Sequence, residues 1–130
     1  MAAIDRTFMN PAGLDRPTLE KAGISGEWII TVVDQARTLE RNGLYVTGRV
    51  TIATFAVTSV NLQQEQPEVV LLNCLDYSKQ VMRYRSNGKP AQSAPGTETR
   101  RQVASHLRFA PSPAGKKMWF FITDEDKGPC

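Results

Sequence analysis

The pattern of apolar and polar positions changes once along the chain, from a helical period to a strand period. Between residues 26 and 42, apolar residues recur at spacings of three and four, which is typical of a helix that buries one face. They are Trp28, Ile29, Val32, Val33, Ala36 and Leu39. Ser25 is a suitable N-cap and Asn42-Gly43 a suitable stop. Two shorter helices are predicted before this one, at residues 2–9 and 18–23.

From Leu44 onward, apolar and polar residues tend to alternate, which indicates β-strands. The predicted strands are 45–62, 68–78, 80–85, 99–110 and 117–123, with a loop at 90–97 and a C-terminal tail at 124–130. In the first strand the alternation slips near Ala53-Thr54, which predicts a β-bulge and a bend.

This order of elements predicts one α+β domain over residues 1–130. Its N-terminal helices, within about residues 2–42, are expected to pack against a strongly curved antiparallel sheet within about residues 45–123. The sheet is expected to have four to five strands and the shape of a cone-like half-barrel with room for a pocket at its mouth.

Composition fits this class, with 41% hydrophobic and 22% charged residues in 130. No apolar run is long enough to cross a membrane, so no transmembrane segment is predicted. The N-terminus lacks the basic start and long apolar stretch of a secretory signal. Either the protein stays in the cytoplasm, or this chain is a mature, extracytoplasmic fragment whose signal or anchor lies outside it.

The net charge of +3 is unevenly distributed, because residues 79–117 hold nine basic residues against the single acid Glu98. Within this segment, Arg83, Tyr84 and Arg85 precede Arg100 and Arg101. Interleaved basic and aromatic residues can clamp single-stranded nucleic acid. Aromatic residues are sparse here and no defined nucleic-acid motif is present, so the sequence disfavours this partner. Solvated strand faces are the alternative interpretation.

Two cysteines are present, Cys74 inside an apolar run and Cys130 at the last position. A bridge between them would close a long loop, worth roughly 4 kcal/mol, and would restrain a terminus that otherwise frays. Two free thiols are the alternative. A bridge would indicate an oxidising compartment.

Short motifs in the second half of the chain resemble the nuclear transport factor two-like superfamily, in particular small extracytoplasmic or lipoprotein-type members from actinobacteria. The motifs are Cys74-Leu75-Asp76-Tyr77-Ser78, Asn87-Gly88-Lys89, Trp119 in the last strand, and Gly128-Pro129-Cys130. The resemblance implies a cystatin-like cone, a Cys74–Cys130 disulfide and a homodimer through the sheet face. It implies no single activity, because this fold hosts both enzymes and non-catalytic domains.

Candidate catalytic residues are few. Asp76 or Asp34 could act as a general base, and His106, the one histidine, could exchange protons near neutral pH. Two of them also have an ordinary structural interpretation: Asp76 could order the adjacent turn or pair with an arginine, and His106 could face solvent. No phosphate-binding loop, nucleophile motif or metal-ligand cluster is present, so no cofactor and no metal is predicted.

The sequence therefore favours a non-catalytic extracytoplasmic domain that binds a protein or ligand through its sheet. A small-molecule enzyme with a cone pocket is the first alternative. A nucleic-acid-binding module that uses residues 79–117 is the second.

Overall fold

A computed structural model describes residues 2–91 and 99–130. Three helices precede six strands, and the strands form two antiparallel sheets of two and four strands, which confirms the α+β class. A loop was predicted at 90–97, and its residues 92–97 lie outside the described residues.

The helices form their own apolar cluster. They are α1 (Ala2–Met9), a 3-10 turn (Pro11–Gly13), α2 (Arg16–Lys21) and α3 (Gly26–Arg41). The predicted stripe of α3 is confirmed, because its central residues are buried with others from the N-terminal region: Ala3, Leu19, Ile24, Ile29, Val32 and Val33. Helix α3 ends at the predicted place, where Gly43 takes a φ of 66° that favours glycine.

The prediction of one long strand over 45–62 is wrong, because the chain turns at Gly48. β1 (Leu44–Thr47) and β2 (Thr51–Asn61) belong to different sheets. Gly48 has a φ of 86°, and a Cβ there would lie 1.9 Å from the carbonyl oxygen of Lys79. This close approach needs glycine and redirects the strand. β1 pairs with β4 (Val81–Tyr84) in the small sheet, so β4 also lies outside the main sheet.

The four-stranded sheet has the order β2-β3-β5-β6, with β3 at Glu68–Asp76, β5 at Arg100–Pro111 and β6 at Lys117–Pro129. β2 and β6 are its two edges, so the sheet is open. Helix α3 packs on β6, where the rings of Trp28 and Phe121 lie 5.9 Å apart. We call the face of the sheet that carries Phe121 the helix-side face.

β6 continues six residues beyond the predicted end of the last strand, so residues 124–129 are strand rather than tail. The reason is that the long neighbour β5 supplies partners to the end, with Arg101 opposite Pro129. A two-pronged ion pair between Arg101 and Asp126, at 2.8 Å, fixes the same region. Hydrogen-bond partners on β5, which local periodicity cannot show, set the length of this strand.

Candidate functional site

Asp76 lies at the end of β3 and is fully engaged in holding the turn that follows. Its carboxylate accepts the backbone N–H of Ser78 at 2.8 Å and pairs with Arg100 at 3.1 Å. The bonds from Ser78, and then Arg100, lower the pKa of Asp76 to about 2. A carboxylate this acidic stays ionised near neutral pH and is a poor general base.

Asp34 lies on α3, whereas His106 lies on β5, where its charge acts on Asp124 and Glu125. Asp34 is exposed on α3, where it lines a shallow groove of about 320 Å³ against β1 and β4. His106 lies opposite Val70 and Thr123, on the face of the sheet away from α3. The structure thus separates the three candidate catalytic residues.

The predicted basic site is divided between the two sheets. Arg83 lies on β4, where it donates to the Thr47 hydroxyl and the Gly88 carbonyl, both at 3.0 Å, and so braces the hairpin. Tyr84 and Arg85 are exposed beside it. Arg100 and Arg101 lie on β5 in ion pairs with carboxylates.

Arg108 extends the same pattern, because it pairs with Glu68 at 2.6 Å. Three of the arginines on β5 therefore already neutralise acids of the same sheet. This pairing leaves less positive charge for a phosphate backbone than the sequence count suggests.

Cys74 and Cys130 form the expected disulfide. Gln102 of β5 lies opposite both Cys74 of β3 and Gly128 of β6, so the register brings the chain end within reach of Cys74. The bridge ties the end of β6 to β3 across β5.

A buried polar cluster on the helix-side face was missed by the sequence analysis. Asn73 donates to the Ser105 hydroxyl at 2.8 Å, and Asp124 lies directly opposite Ser105. Burial raises the pKa of Asp124 to about 6, although the Ser105 hydroxyl and the nearby His106 act against this rise. Asp124 fell in the predicted tail, so its place opposite Ser105 could not be recognised.

Asp124 Oδ1 is buried without a hydrogen-bond partner in the described part of the chain, and so is Trp28 Nε1 on α3. Burial also raises the pKa of the neighbouring Tyr77, with a further contribution from Asp124. The surroundings of Asp124 therefore disfavour its ionised form.

A cleft of about 770 Å³ opens between the start of α3, the end of β5 and the first half of β6. Its charged lining residues are Glu20, Glu27 and Arg108, and the Arg108 guanidinium is held by Glu68. Neither Asp76 nor His106 lines it.

Among residues 2–91 and 99–130, no group of three or more potential metal ligands converges. No described helix could span a bilayer.

The most unusual surface is strand β2, because all eleven of its residues are exposed. The large apolar side chains Ile52, Phe55, Val57 and Val60 are 51–70% exposed. No residue from 50 to 64 carries a charge. Edge strands are normally protected by charge, proline or cover, because their free N–H and C=O groups can pair with another chain.

Two bulges place these apolar residues on one side. The register with β3 shifts between Ile52 and Thr54, as the sequence predicted, and again between Val57 and Ser59. Because each shift resets the alternation, all four apolar residues share the helix-side face; they lie opposite Leu75, Asn73, Leu71 and Val69 in turn. We call Ile52, Phe55, Val57 and Val60 the β2 apolar patch.

Comparison with known proteins adds the fold alone. No protein-family model matches the chain, and no curated protein is significantly similar to it. The chain is similar in structure to the intermembrane space region of the chloroplast protein ARC6, with a TM-score of 0.57 and 11% sequence identity. The match covers 98% of this chain and 87% of that one. At this identity, the likeness concerns the arrangement of helices and strands.

Proposed function

We propose that this chain is a non-catalytic, extracytoplasmic domain that binds another polypeptide through β2. The observation that carries the proposal is the eleven-residue edge strand, exposed throughout, uncharged and apolar on one face. A strand of this kind binds by adding a strand to its sheet, since main-chain hydrogen bonds supply affinity and alternate side chains supply specificity.

Two observations support the extracytoplasmic location. The Cys74–Cys130 disulfide is of the kind that persists in oxidising compartments. The similar ARC6 structure comes from an intermembrane space region. Three other expectations remain predictions: membership of the nuclear transport factor two-like superfamily, the strongly curved cone, and the homodimer through the sheet face.

The geometry gives less support to the two alternatives. An enzyme of the predicted type needs a carboxylate free to take a proton inside a pocket, whereas Asp76 is ion-paired and Asp34 lies on an open groove. A nucleic-acid-binding module needs free guanidinium groups along one surface, whereas Arg100, Arg101 and Arg108 are paired with acids.

Site-specific photocrosslinking tests the binding proposal. A photoreactive phenylalanine analogue replaces Phe55 in the full chain, expressed in its source cells, and in a matched control it replaces Ile30, which is 62% exposed on α3. We expect a polypeptide adduct from position 55 and none from position 30. Equal adducts at both positions, or none at position 55, would contradict a binding role for β2.

Thiol titration tests the compartment. The protein, isolated from its source cells with free thiols blocked during lysis and then denatured without reductant, is expected to show no reactive thiol. Two reactive thiols would place the chain in a reducing compartment and remove the extracytoplasmic part of the proposal.

A further inference from the structure

The sequence of β2 is close to a palindrome in chemical character. Read outward from its central residue, Ala56, the strand repeats the same kinds of side chain in both directions. The pairs are Phe55 with Val57, Thr54 with Thr58, Ala53 with Ser59, Ile52 with Val60, and Thr51 with Asn61. The next pair outward, Val50 with Leu62, is also apolar.

Such a pattern is what a two-fold contact requires. In an isologous interface, a residue at position i meets position j of the other copy, and j meets i. When two identical strands pair antiparallel about an axis through Ala56 and perpendicular to the sheet, the residues of each listed pair lie opposite one another. We infer that the partner of β2 is β2 of a second copy of this chain, paired antiparallel and centred on Ala56.

The side chains suit this arrangement. The axis keeps the helix-side faces of both copies on the same side, so Phe55 meets Val57 of the partner subunit and Ile52 meets Val60 of the partner subunit. Aromatic and β-branched residues placed directly opposite one another are among the stabilising cross-strand pairs. The two β2 apolar patches then form one continuous strip, and the two sheets of four strands become one of eight.

Charge favours the antiparallel direction. The first charged residues on either side of β2 are Arg49 before it and Glu65 after it. Antiparallel pairing brings the arginine of each copy toward the glutamate of the other, whereas parallel pairing would bring like charges together. With no charge between them, the strand offers nothing for an acidic or basic peptide to recognise, which favours a second copy over a charged partner.

The exposed apolar area at this edge is considerable. The β2 apolar patch and Leu62, which is 60% exposed, present on the order of 500 Å² of apolar side-chain area per copy. Edge-to-edge pairing covers the free strand backbone and the facing flanks of these side chains, so the contact is smaller than the roughly 800 Å² per partner of a standard interface and depends on main-chain hydrogen bonds.

The bulges do not protect this edge in the usual way. A bulge guards an edge when it twists the strand away or breaks its apolar face. Here the bulged residues, Ala53 and Thr58, lie nearly symmetrically about Ala56 and keep the apolar residues aligned. The regular segment between the bulges, 54–57, contains the proposed axis.

The inference rests on the proposed function and names its partner. Sedimentation and light scattering of the full chain are expected to give twice the 14.4 kDa chain mass at about 100 µM. Ala56→Lys places two like charges opposite one another on the axis and is expected to weaken association on the order of 100-fold. Ile30→Lys, which introduces the same charge at an exposed position on α3, is expected to leave the dimer intact.

Cysteine crosslinking tests the register, because only a residue on the axis meets its own copy. Directly opposed residues of antiparallel strands have Cα atoms about 4.5–5.5 Å apart, within disulfide range. Ala56→Cys is therefore expected to give a covalent dimer on mild oxidation, whereas Thr51→Cys is expected to remain monomeric in a denaturing gel. Amide circular dichroism shows that each variant is folded.

The outcomes separate this inference from the proposed function. A monomeric chain whose position 55 crosslinks to a different protein would overturn the self-pairing and leave the binding role of β2 in place. A dimer that survives Ala56→Lys, or that crosslinks equally through Thr51→Cys, would also overturn it. A monomer with no adduct at position 55 would remove both.

Discussion

The two edges of the four-stranded sheet, β2 and β6, both carry large apolar side chains, but their surroundings differ. On β6, Phe120 is buried, Phe121 packs on Trp28, and the chain end is bound by a disulfide. On β2, Phe55 is 70% exposed and no helix packs on the strand. Both strands are long, but only the first half of β6 is apolar, whereas β2 is apolar along its whole length and carries no charge. The apolar part of β6 is covered and that of β2 is not, and this contrast is what supports the proposed binding role of β2.

The exposed fraction of a side chain also differs between residues that lie opposite one another on β3 and β2. Leu75 of β3 is 5% exposed, whereas Ile52, directly opposite it on β2, is 51% exposed. Burial thus falls from nearly complete to about half within one strand spacing. Substitutions at the two edges are expected to have very different effects on the isolated chain.

The largest effect is expected from the disulfide. Reduction, or Cys74→Ala with Cys130→Ala, is expected to lower the free energy of unfolding by about 4 kcal/mol, because the bridge spans 56 residues of sequence separation. Urea unfolding followed by circular dichroism measures this. A loss of less than about 1 kcal/mol would mean that the end of β6 is held by strand pairing alone.

The next largest effect on the free energy of unfolding is expected for one of two residues that lie opposite one another, Leu75 on β3 and Ile52 on β2. Leu75→Ala is expected to cost about 2–4 kcal/mol through lost burial and a cavity. Ile52→Ala, its matched partner across the pair, is expected to cost less than about 0.5 kcal/mol, measured at a concentration where the chain is monomeric. Equal losses at the two sites would show that β2 is covered within a single copy.

A pH effect is expected from Asp124. Because its folded-state pKa of about 6 lies above the ordinary 3.8, the folded chain holds this proton more tightly than the unfolded chain. Its contribution to the free energy of unfolding is fully present below pH 3.8 and is lost as the pH rises through about 6. The loss is about 1–2 kcal/mol after allowance for the partial exposure of Asp124.

Asp124→Asn is therefore expected to raise the melting temperature at pH 7.5 and to flatten the change between pH 4 and 7. Asp126→Asn is the control, since Gly128 and Arg101 lower the pKa of Asp126, and its effect has the opposite sign. If the melting temperature of Asp124→Asn changes with pH in the same way as that of the unmodified chain, Asp124 is not the titrating group.

The smallest effect is expected from the ion pair at the far end of β3. Glu68→Gln breaks the contact with Arg108, whose side chain is 41% exposed, and is expected to cost less than about 1 kcal/mol. Added salt should reduce the difference, because it screens the pair. A cost that does not change between low and high salt would point to packing rather than charge.

The sequence by itself determined the local elements whose patterns are strong. The stripe of α3, its stop at Gly43 and the strand β3 follow from spacing and from glycine's conformational freedom, which are local properties. The bulge near Ala53 also appeared as a slip in alternation. The Cys74–Cys130 bridge was expected from the two cysteines and from the family resemblance, although the residues alone left two free thiols as the alternative.

Tertiary structure decided the rest. The turn at Gly48 depends on the approach of the Lys79 carbonyl, and the extension of β6 depends on the length of β5; both partners are distant in sequence. The same holds for Asp124, which is buried only because β6 reaches Ser105. The exposure of β2 could not be predicted either, because an apolar strand has the same sequence pattern whether a helix, a sheet or another chain covers it. Which surface is left uncovered depends on how all the elements pack together.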